Sequence, residues 1–302
     1  MAVSEKTSVN AGEERGDIID PENGTELARQ LNQDRLLAQC LGGPFPEGQA
    51  LTPGQRVLDL ACGPGGWALQ VAHAYPKVEV IGVDRASAVV EYARALAFSQ
   101  GLDNAHFQMA DVRSMLPFAA QSFDLVNGRF LLSAICRNGW PSLLAECRRV
   151  LRPGGVLQLT EGKLVLTTSE PIGAFERLLA SALYEAGHGF LETSLGIAKR
   201  LPRLLERAGF EQIATHARVL DGRAGPVERA LFENNAALLT LLEQFLLQSG
   251  LTTPEELEVL RQRVFIELYQ GKHSLHWPLL TVWGQAGGQF HCLFSSEKYD
   301  VL

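Results

Sequence analysis

The stretch RVLDLACGPGGWALQVA, residues 56–72, constrains the fold most. Its apolar start, interrupted by Asp59, predicts a buried strand. A glycine cluster at residues 63–66 ends that strand, and apolar residues then return at helical spacing. A strand, a glycine turn and a helix leave free backbone N–H groups beside a ligand, which is typical of cofactor sites. The turn alone also matches the G-x-G-x-x-G/A pattern of dinucleotide-binding proteins, so two cofactors stay open.

Length and composition exclude several classes of protein. The chain has 302 residues, 46% of them hydrophobic, which predicts one large α/β domain or a domain with insertions. Its net charge of -7 supplies no positive field for a phosphate backbone, so we expect no nucleic-acid partner. Five cysteines without a C-x-x-C pair predict a reducing compartment and no metal site. Without a signal peptide or a membrane-length apolar run, we expect a cytoplasmic protein with no membrane span.

Beyond the turn, apolar strand patterns and helical patterns alternate. The pattern predicts strands at 77–84, 105–111, 122–130 and 156–162, with helices at 87–102 and 140–155. Such alternation is typical of parallel strands joined by helical crossovers. We therefore expect an α/β fold with a doubly wound, Rossmann-like sheet.

The later part of the chain breaks this alternation, which predicts helical insertions forming a cover. Helices are expected at 171–187, 194–208, 226–248 and 254–269. The predicted organisation is a disordered tail (1–22), an N-terminal helix and linker (23–50), a cofactor-binding core (51–162), a helical insertion (163–201), a core helix and strand (202–220), a second helical insertion (221–274), a last core strand (275–285) and a tail (286–302).

Acidic residues at the predicted strand ends distinguish the two cofactors. Asp84 lies about twenty residues beyond the turn, where a carboxylate can accept hydrogen bonds from ribose hydroxyls of either NAD or S-adenosylmethionine. Asp59 attracts the cationic groups of S-adenosylmethionine, whereas it would repel a pyrophosphate. Asp111, at the predicted end of the third strand, is placed to accept a hydrogen bond from an adenine amine. Together the three carboxylates favour S-adenosylmethionine.

Five motifs follow one another in register: VLDLACGPGG, VIGVD, MADVRSMLPF, SFDLVNGRF and VLRPGGVLQL. In the order and spacing of these motifs, residues 55–161 resemble class I S-adenosylmethionine-dependent methyltransferases. The most similar type is the small-molecule one that includes ubiquinone and menaquinone biosynthesis enzymes, and residues 277–284 share a weaker similarity. The resemblance implies a seven-stranded sheet with an antiparallel last strand. It also implies S-adenosyl-L-methionine as cofactor and S-adenosyl-L-homocysteine as product.

The resemblance assigns roles to residues that match the motifs. They are Asp59, Ala61 and Gly63 along the methionine part, Gly65 for close backbone approach, Asp84 at the ribose, Asp111 and the Val112 backbone at the adenine, and Asn127 and Arg129 beside the transferred methyl. Arg85 is a further expected cofactor-binding residue. Ala61 stands where the family has its first glycine. We expect a small effect from this difference, because alanine still exposes its carbonyl.

Methyl transfer from a sulfonium depends mainly on positioning, and a general base is needed only for some acceptors. Glu161, at the end of the fifth predicted strand, and His188, in the first inserted helix, are the preferred candidates for a base. Tyr184 and His216 rank lower, and Arg129 is a further catalytic candidate. Whether an O, N or C atom is methylated stays open.

The insertions indicate the acceptor class. They carry aromatic and long apolar side chains (Phe175, Leu183, Tyr184, Phe190, Phe232, Leu239, Phe245, Phe265 and Tyr269). Walls of this kind favour a lipophilic or aromatic metabolite in a closed cavity, covered by these helices and the N-terminal helix. The same residues would also suit packing against each other or across a homodimer.

Other functions stay possible at this point. A nucleic-acid methyltransferase is disfavoured, because no D/N-P-P-Y/F run follows the fourth strand and no cysteine follows a proline. A protein substrate, a non-catalytic cofactor-binding protein and an NAD-dependent dehydrogenase are the remaining alternatives. His273 and His276 are interpreted as two solvent-facing histidines, since no third metal ligand lies at suitable spacing.

Overall fold

The computed structural model describes residues 18–20, 22–45, 50–222, 225–270 and 273–287. The first half contains α1 (Gly24–Leu41), β1 (Arg56–Leu60), α2 (Gly66–Ala74), β2 (Glu79–Asp84), α3 (Ser87–Ser99), β3 (Ala105–Met109), β4 (Phe123–Arg129), a short 3-10 helix (Leu131–Ser133), α4 (Trp140–Val150) and β5 (Leu151–Gly162). The second half contains β6 (Leu166–Thr167), α5 (Glu170–Glu185), α6 (Ile197–Arg207), β7 (Phe210–Gly222), α7 (Pro226–Leu241), α8 (Glu243–Gln248), α9 (Pro254–Gln270) and β8 (Leu275–Ala286).

All the described strands belong to one sheet. Its order is β3-β2-β1-β4-β5-β8-β6, and β7 also pairs with β8. Strands β1 to β5 pair in parallel, whereas β8 is antiparallel to β5, β6 and β7. The predicted α/β sheet with an antiparallel last strand is confirmed. The eighth strand, two-residue β6, is an addition that the sequence pattern did not predict.

Helices cover both faces of the sheet and bury two apolar clusters. Val57 and Leu125 belong to the cluster beneath α2 and α3, whereas Leu58 and Val126 belong to the larger cluster that contains α4, α5 and α6 residues. Central parallel strands are buried on both faces and therefore consist almost entirely of apolar residues. Asp59 interrupts this pattern within β1 although only 2% of it is exposed. A buried carboxylate in a central strand indicates a functional site at this part of the sheet.

The turn after β1 depends on left-handed backbone. Gly65 precedes α2 at φ +84°, and a Cβ there would lie 2.8 Å from the Phe107 ring. Ala61 adopts φ +46° at the position where the resemblance implies glycine. Alanine in this region carries a backbone strain of about 1 kcal/mol, so the expected small effect of the substitution includes a backbone cost that the sequence comparison did not consider.

The predicted N-terminal and C-terminal tails fall mostly outside the described residues, namely 1–17, 21 and 288–302. The remainder of the N-terminal segment is ordered by contacts. Ile18 is buried in the larger apolar cluster, and the Glu22 carboxylate accepts hydrogen bonds from the Ser87 and Ala88 N–H groups. Glu22 thus satisfies free N–H groups at the start of α3. At the other end, Ala286 still belongs to β8.

Several element boundaries differ from the sequence predictions. Strand β3 ends at Met109, so Asp111 follows the strand instead of ending it. Helix α5 ends at Glu185, which leaves His188 beyond the helix that was expected to contain it. The predicted helix at 226–248 is two helices, α7 and α8, that meet at Leu242.

Neither a membrane-spanning helix nor a cluster of three metal ligands is present among the described residues. His273 and His276 do not face each other as a metal pair. His273 Nε2 lies 3.6 Å from Glu267, and His276 Nδ1 lies 3.2 Å from Asp221.

Candidate active site

A cavity of about 200 Å³ lies where β1, β2, β3 and β4 end, and we call it the larger cavity. This is the edge at which open parallel sheets bind ligands. Most of the predicted site residues line it, namely Asp59, Ala61, Gly63, Asp84, Arg85, Asp111, Val112 and Arg129. Gly65 and Asn127 are close by but are not part of the lining: Gly65 precedes α2, and Asn127 contacts Asp59.

Asp59 is the most deeply buried acid of the larger cavity. Its Oδ1 accepts a hydrogen bond of 2.7 Å from Asn127 Nδ2, whereas its buried Oδ2 has no partner among the described residues. Burial raises the pKa of Asp59 to about 7, and the positive charge of Arg129 partly opposes this shift. A buried carboxylate with a free acceptor atom is suited to a cationic donor from a ligand.

A row of polar side chains crosses the sheet from Asp59. Asn127 on β4 accepts a hydrogen bond of 3.1 Å from Gln158 Nε2 on β5. Because Asn127 Nδ2 donates to Asp59, its Oδ1 must face Gln158, and this fixes the Gln158 amide with Nε2 as the donor. The row therefore ends at Gln158 Oε1, which is buried and has no partner among the described residues.

Asp84 ties the end of β2 to the glycine turn. Its Oδ2 accepts from the Gly63 N–H at 3.1 Å, and its Oδ1 accepts from the Ala86 N–H at 3.0 Å. Burial raises the pKa of Asp84, while these backbone hydrogen bonds act in the opposite direction. Each carboxylate oxygen can accept a second hydrogen bond. The side chain is thus held in place with acceptor capacity left for a ligand.

Asp111 is engaged by a neighbouring arginine. Its Oδ2 lies 2.6 Å from Arg113 Nη2, and the Arg113 backbone N–H also donates to Oδ1. These hydrogen bonds lower the pKa of Asp111. A ligand amine at this position shares the carboxylate with Arg113.

Helix α1 forms the opposite side of the larger cavity. Glu26 and Arg29 form an ion pair of 2.7 Å, and Arg129 donates to Asp34 at 2.7 Å. Sequence analysis predicted a covering helix but missed its polar residues. They recur at positions 26, 29, 30, 33 and 34, which is the spacing of one helical face. The recurrence of polar residues along one face of α1 is the sequence signal that identifies them.

Two further contacts hold α1 in place. Arg29 Nη1 donates to Asn234 on α7 at 2.9 Å. At the start of α2, a Cβ added to Gly66 would overlap the side chain of Asp34. Gly66 therefore permits the close approach of α1 to the turn.

Glu161 and His188 are absent from the lining of the larger cavity, as far as the described residues show. Glu161 is 3% exposed, and burial raises its pKa to about 8. Its Oε1 accepts from the Leu132 N–H at 3.3 Å, and His188 Nδ1 lies 2.8 Å from the Leu132 carbonyl oxygen. Burial lowers the pKa of His188. Both candidates therefore contact the 3-10 helix that follows β4.

The lower-ranked candidates and the inserted helices also contribute nothing to the described lining of this cavity. The Tyr184 ring packs against the Arg137 guanidinium, and His216 lies in the middle of β7. Phe175 and Phe232 are buried in the larger apolar cluster instead. The larger cavity is thus lined by charged and apolar groups together, and the predicted apolar acceptor pocket stays a prediction.

A smaller cavity of about 40 Å³ lies beside the larger one, and Arg129 lines both. Its apolar side includes Leu37, Phe45 and Trp67. Its polar side is formed by strands β5, β7 and β8 and contains Gln158, Thr160, His216, Arg218 and Thr281. The polar row from Asp59 thus begins at one cavity and ends at the other.

Comparisons with known proteins agree with this geometry. Residues 57–155 match the family model described as a methyltransferase domain. The chain is 31% identical to the trans-aconitate 2-methyltransferase of Deinococcus radiodurans, over 59% of this chain and 62% of that protein. It is 27% identical to the secondary metabolism regulator laeA of Coprinopsis cinerea, over 76% of this chain and 58% of that protein. The chain thus matches less than two thirds of the length of these curated relatives.

A solved structure extends the fold comparison. A phosphoethanolamine N-methyltransferase of Haemonchus contortus, in complex with phosphomonomethylethanolamine and S-adenosylhomocysteine, superposes with a TM-score of 0.51 at 17% identity. The superposition covers 89% of this chain and 61% of that one, and it shows a shared fold. The family match covers most of the motifs and the turn that forms the larger cavity. Residues 57–155 of this chain therefore match the methyltransferase domain model, which agrees with the predicted resemblance to class I methyltransferases.

Proposed function

We propose that this protein is an S-adenosylmethionine-dependent methyltransferase that acts on a small molecule. The observation that carries the proposal is the set of Asp59, Asp84 and Asp111 around the Gly63 turn, inside the segment that matches the methyltransferase domain. Ribose hydroxyls, the adenine amine and the methionine ammonium are all hydrogen-bond donors, so three carboxylate acceptors suit them. The pyrophosphate of NAD is an anion and is disfavoured beside Asp59.

The described residues fit this cofactor. Asp59 Oδ2 has no partner in the protein and would accept from the ammonium, while Asp84 has acceptor capacity for the ribose. Gly63 at φ +55° and Gly65 at φ +84° adopt left-handed backbone without a side chain, which leaves the turn backbone accessible at these two positions. The Haemonchus contortus relative, solved with S-adenosylhomocysteine, supports the assignment at the level of the fold.

S-adenosylmethionine supplies a methyl group that is already activated on a sulfonium, so the protein's task is to bind and orient the reactants. Arg129 lies at the end of β4 between the two cavities, and Asp34 holds its guanidinium in place. Such a held cation suits the orientation of an acceptor beside the cofactor. Helix α1 lies along the larger cavity and limits the access of water.

Glu161 and His188 act as positioning residues in this proposal. Both contact the backbone of Leu132, and the next two residues, Ser133 and Ala134, line the larger cavity. Because neither side chain reaches that lining, direct proton transfer from the acceptor is not their role here. Glu161 and His188 hold the segment that follows Arg129 in place. The atom of the acceptor that receives the methyl group is an O, N or C nucleophile.

We propose a partly apolar acceptor. Leu37, Phe45 and Trp67 supply apolar surface beside Arg129 in the smaller cavity, which supports this choice. The named activity of the Deinococcus radiodurans relative also concerns a small molecule. The net charge of -7 argues against a nucleic-acid substrate.

Calorimetric titration tests the proposal directly. S-adenosylhomocysteine is expected to bind with a micromolar dissociation constant, about -7 to -9 kcal/mol, and NAD is expected to give no binding heat. Binding of NAD without any response to S-adenosylhomocysteine would contradict the proposal. Methyl transfer to a purified protein or RNA, with none to small molecules, would keep the cofactor assignment and overturn the acceptor class.

A further inference from the structure

We infer that Gln30 of helix α1 determines specificity for the cofactor: its side-chain oxygen, together with Asp59, accepts hydrogen bonds from the ammonium group of S-adenosylmethionine. The inference rests on the proposed function, because it treats the larger cavity as the cofactor site. Both side chains line this cavity, Asp59 from strand β1 and Gln30 from α1. Recognition of the methionine part of the cofactor then depends on α1 as well as on the sheet.

The first argument concerns the orientation of the Gln30 amide. Gln30 Nε2 donates a hydrogen bond of 2.8 Å to Glu26 Oε1. The Glu26 carboxylate also accepts two hydrogen bonds of 2.7 Å from the Arg29 guanidinium. Because a carboxylate paired with an arginine accepts hydrogen bonds and donates none, the amide nitrogen of Gln30 must face Glu26. The amide oxygen, Oε1, is therefore left for a different partner.

The second argument concerns the surroundings of that oxygen. Gln30 Oε1 is buried and has no hydrogen-bond partner among the described residues. It lies against the glycine turn, since a Cβ added to Gly63 would be 3.0 Å from it. Asp59 Oδ2, on the sheet side of the larger cavity, is buried without a partner in the same way. Buried acceptors without partners are costly, and donors from a bound molecule remove that cost.

The third argument matches these acceptors to the donors of the cofactor. An ammonium group carries three N–H donors, so the single free oxygen of Asp59 leaves some of them without an acceptor. The ribose hydroxyls need no help from α1, because both oxygens of Asp84 have acceptor capacity left. An amide oxygen also adds an acceptor without adding a further negative charge to the cavity. The ammonium is therefore the cofactor group that Gln30 suits.

Calorimetric titration of the full chain with matched ligands tests this inference. The ligands are S-adenosylhomocysteine, its analogue that lacks only the amino group, and 5′-methylthioadenosine, which keeps the ribose and the adenine but has no amino-acid part. Gln30→Met keeps the length of the side chain and removes the acceptor oxygen. This variant is expected to bind S-adenosylhomocysteine about tenfold more weakly, because a hydrogen bond to a charged group is lost. Its affinities for the other two ligands should be unchanged.

The control is Gln39→Met, because Gln39 is exposed on the same helix. It is expected to leave the affinities for all the ligands unchanged. If Gln30→Met weakens S-adenosylhomocysteine and the amino-free analogue equally, or weakens neither, the inference is wrong and the proposed function stands. A loss that extends to 5′-methylthioadenosine would assign Gln30 to the ribose and also overturn the inference. Failure of S-adenosylhomocysteine to bind the unmodified protein would refute the proposed function, and the inference with it.

Discussion

The two sides of the larger cavity are held by different kinds of interaction. On the sheet side, backbone N–H groups of the turn and of the start of α3 fix Asp84. On the α1 side, side chains fix one another, as in the pairs Glu26–Arg29 and Asp34–Arg129. The Glu26–Arg29 pair lies within one turn of α1, whereas the Asp34–Arg129 pair joins α1 to β4 and exists only after α1 has docked. We therefore expect sheet-side variants to alter cofactor affinity, and variants at the α1 contact to alter stability.

The largest effect is expected from Asp84→Ala on the sheet side. Loss of hydrogen bonds between a carboxylate and the ribose should weaken S-adenosylhomocysteine binding at least about tenfold, measured by calorimetry. Asp103→Ala removes an exposed acid elsewhere in the same half of the chain and should leave the affinity unchanged. An unaltered dissociation constant in a folded Asp84→Ala protein would remove Asp84 from the site.

Gly66→Ala tests the α1 side. The added methyl group overlaps Asp34, so the free energy of unfolding should fall by about 1–3 kcal/mol. Asp34→Ala in the same protein should restore part of this loss, because it removes the nearest overlapping atoms. The control is Gly24→Ala, where an added methyl has open space. Equal destabilisation by the two alanine substitutions would show that α1 does not depend on this contact.

The pH dependence of the free energy of unfolding tests the burial of Glu161 behind the larger cavity. Burial raises the pKa of Glu161 from 4.5 to about 8, so the folded protein keeps a proton that the unfolded chain loses near pH 4.5. The free energy of unfolding should therefore fall as pH rises between these values. Glu161→Gln should make that decline shallower in chemical denaturation, whereas the exposed Glu91→Gln should not. Parallel pH curves for all three proteins would contradict the assigned burial.

The smallest effect is expected from Ala61→Gly. Glycine relieves the strain of φ +46° but increases the freedom of the unfolded chain, so a gain below about 1 kcal/mol is expected. The comparison variant is Ala68→Gly, because Ala68 lies inside α2. This substitution should lower the free energy of unfolding by about 1 kcal/mol, so the two variants should change stability in opposite directions. Destabilisation by both variants would mean that the turn tolerates alanine without strain.

Sequence patterns predicted the parallel half of the fold well because its signals are local. An apolar run that contains Asp59 and a second one that ends in Asp84, with glycines between them, specify strands, a turn and a sheet edge at once. The antiparallel β8 came from the family resemblance, and the structure confirms it. Because the carboxyl ends of parallel strands meet at one edge of the sheet, the parallel arrangement alone predicts that these acids lie close together.

Other parts of the site depend on contacts between distant segments. The pairing of Arg129 with Asp34 joins β4 to α1, and no local pattern records it. Glu161 lies near the end of strand β5 and resembles a strand-end acid, yet its burial against Leu132 places it behind the cavity. Whether a polar residue faces a cavity or the core was thus decided by the packing of the 3-10 helix.

The position of β8 between β5 and β7 has a consequence for the order of folding. Strand β7 makes its described sheet pairing with β8, so it cannot join the sheet before β8 has formed beside β5. β5 and β8 are separated by the whole helical second half of the chain, and such distant pairing is slow because a long loop must close first. The half of the sheet that carries Asp59 and Asp84 can form earlier from neighbouring segments. During refolding, protection of β1 and β2 amides from hydrogen exchange should therefore precede protection of β7 amides.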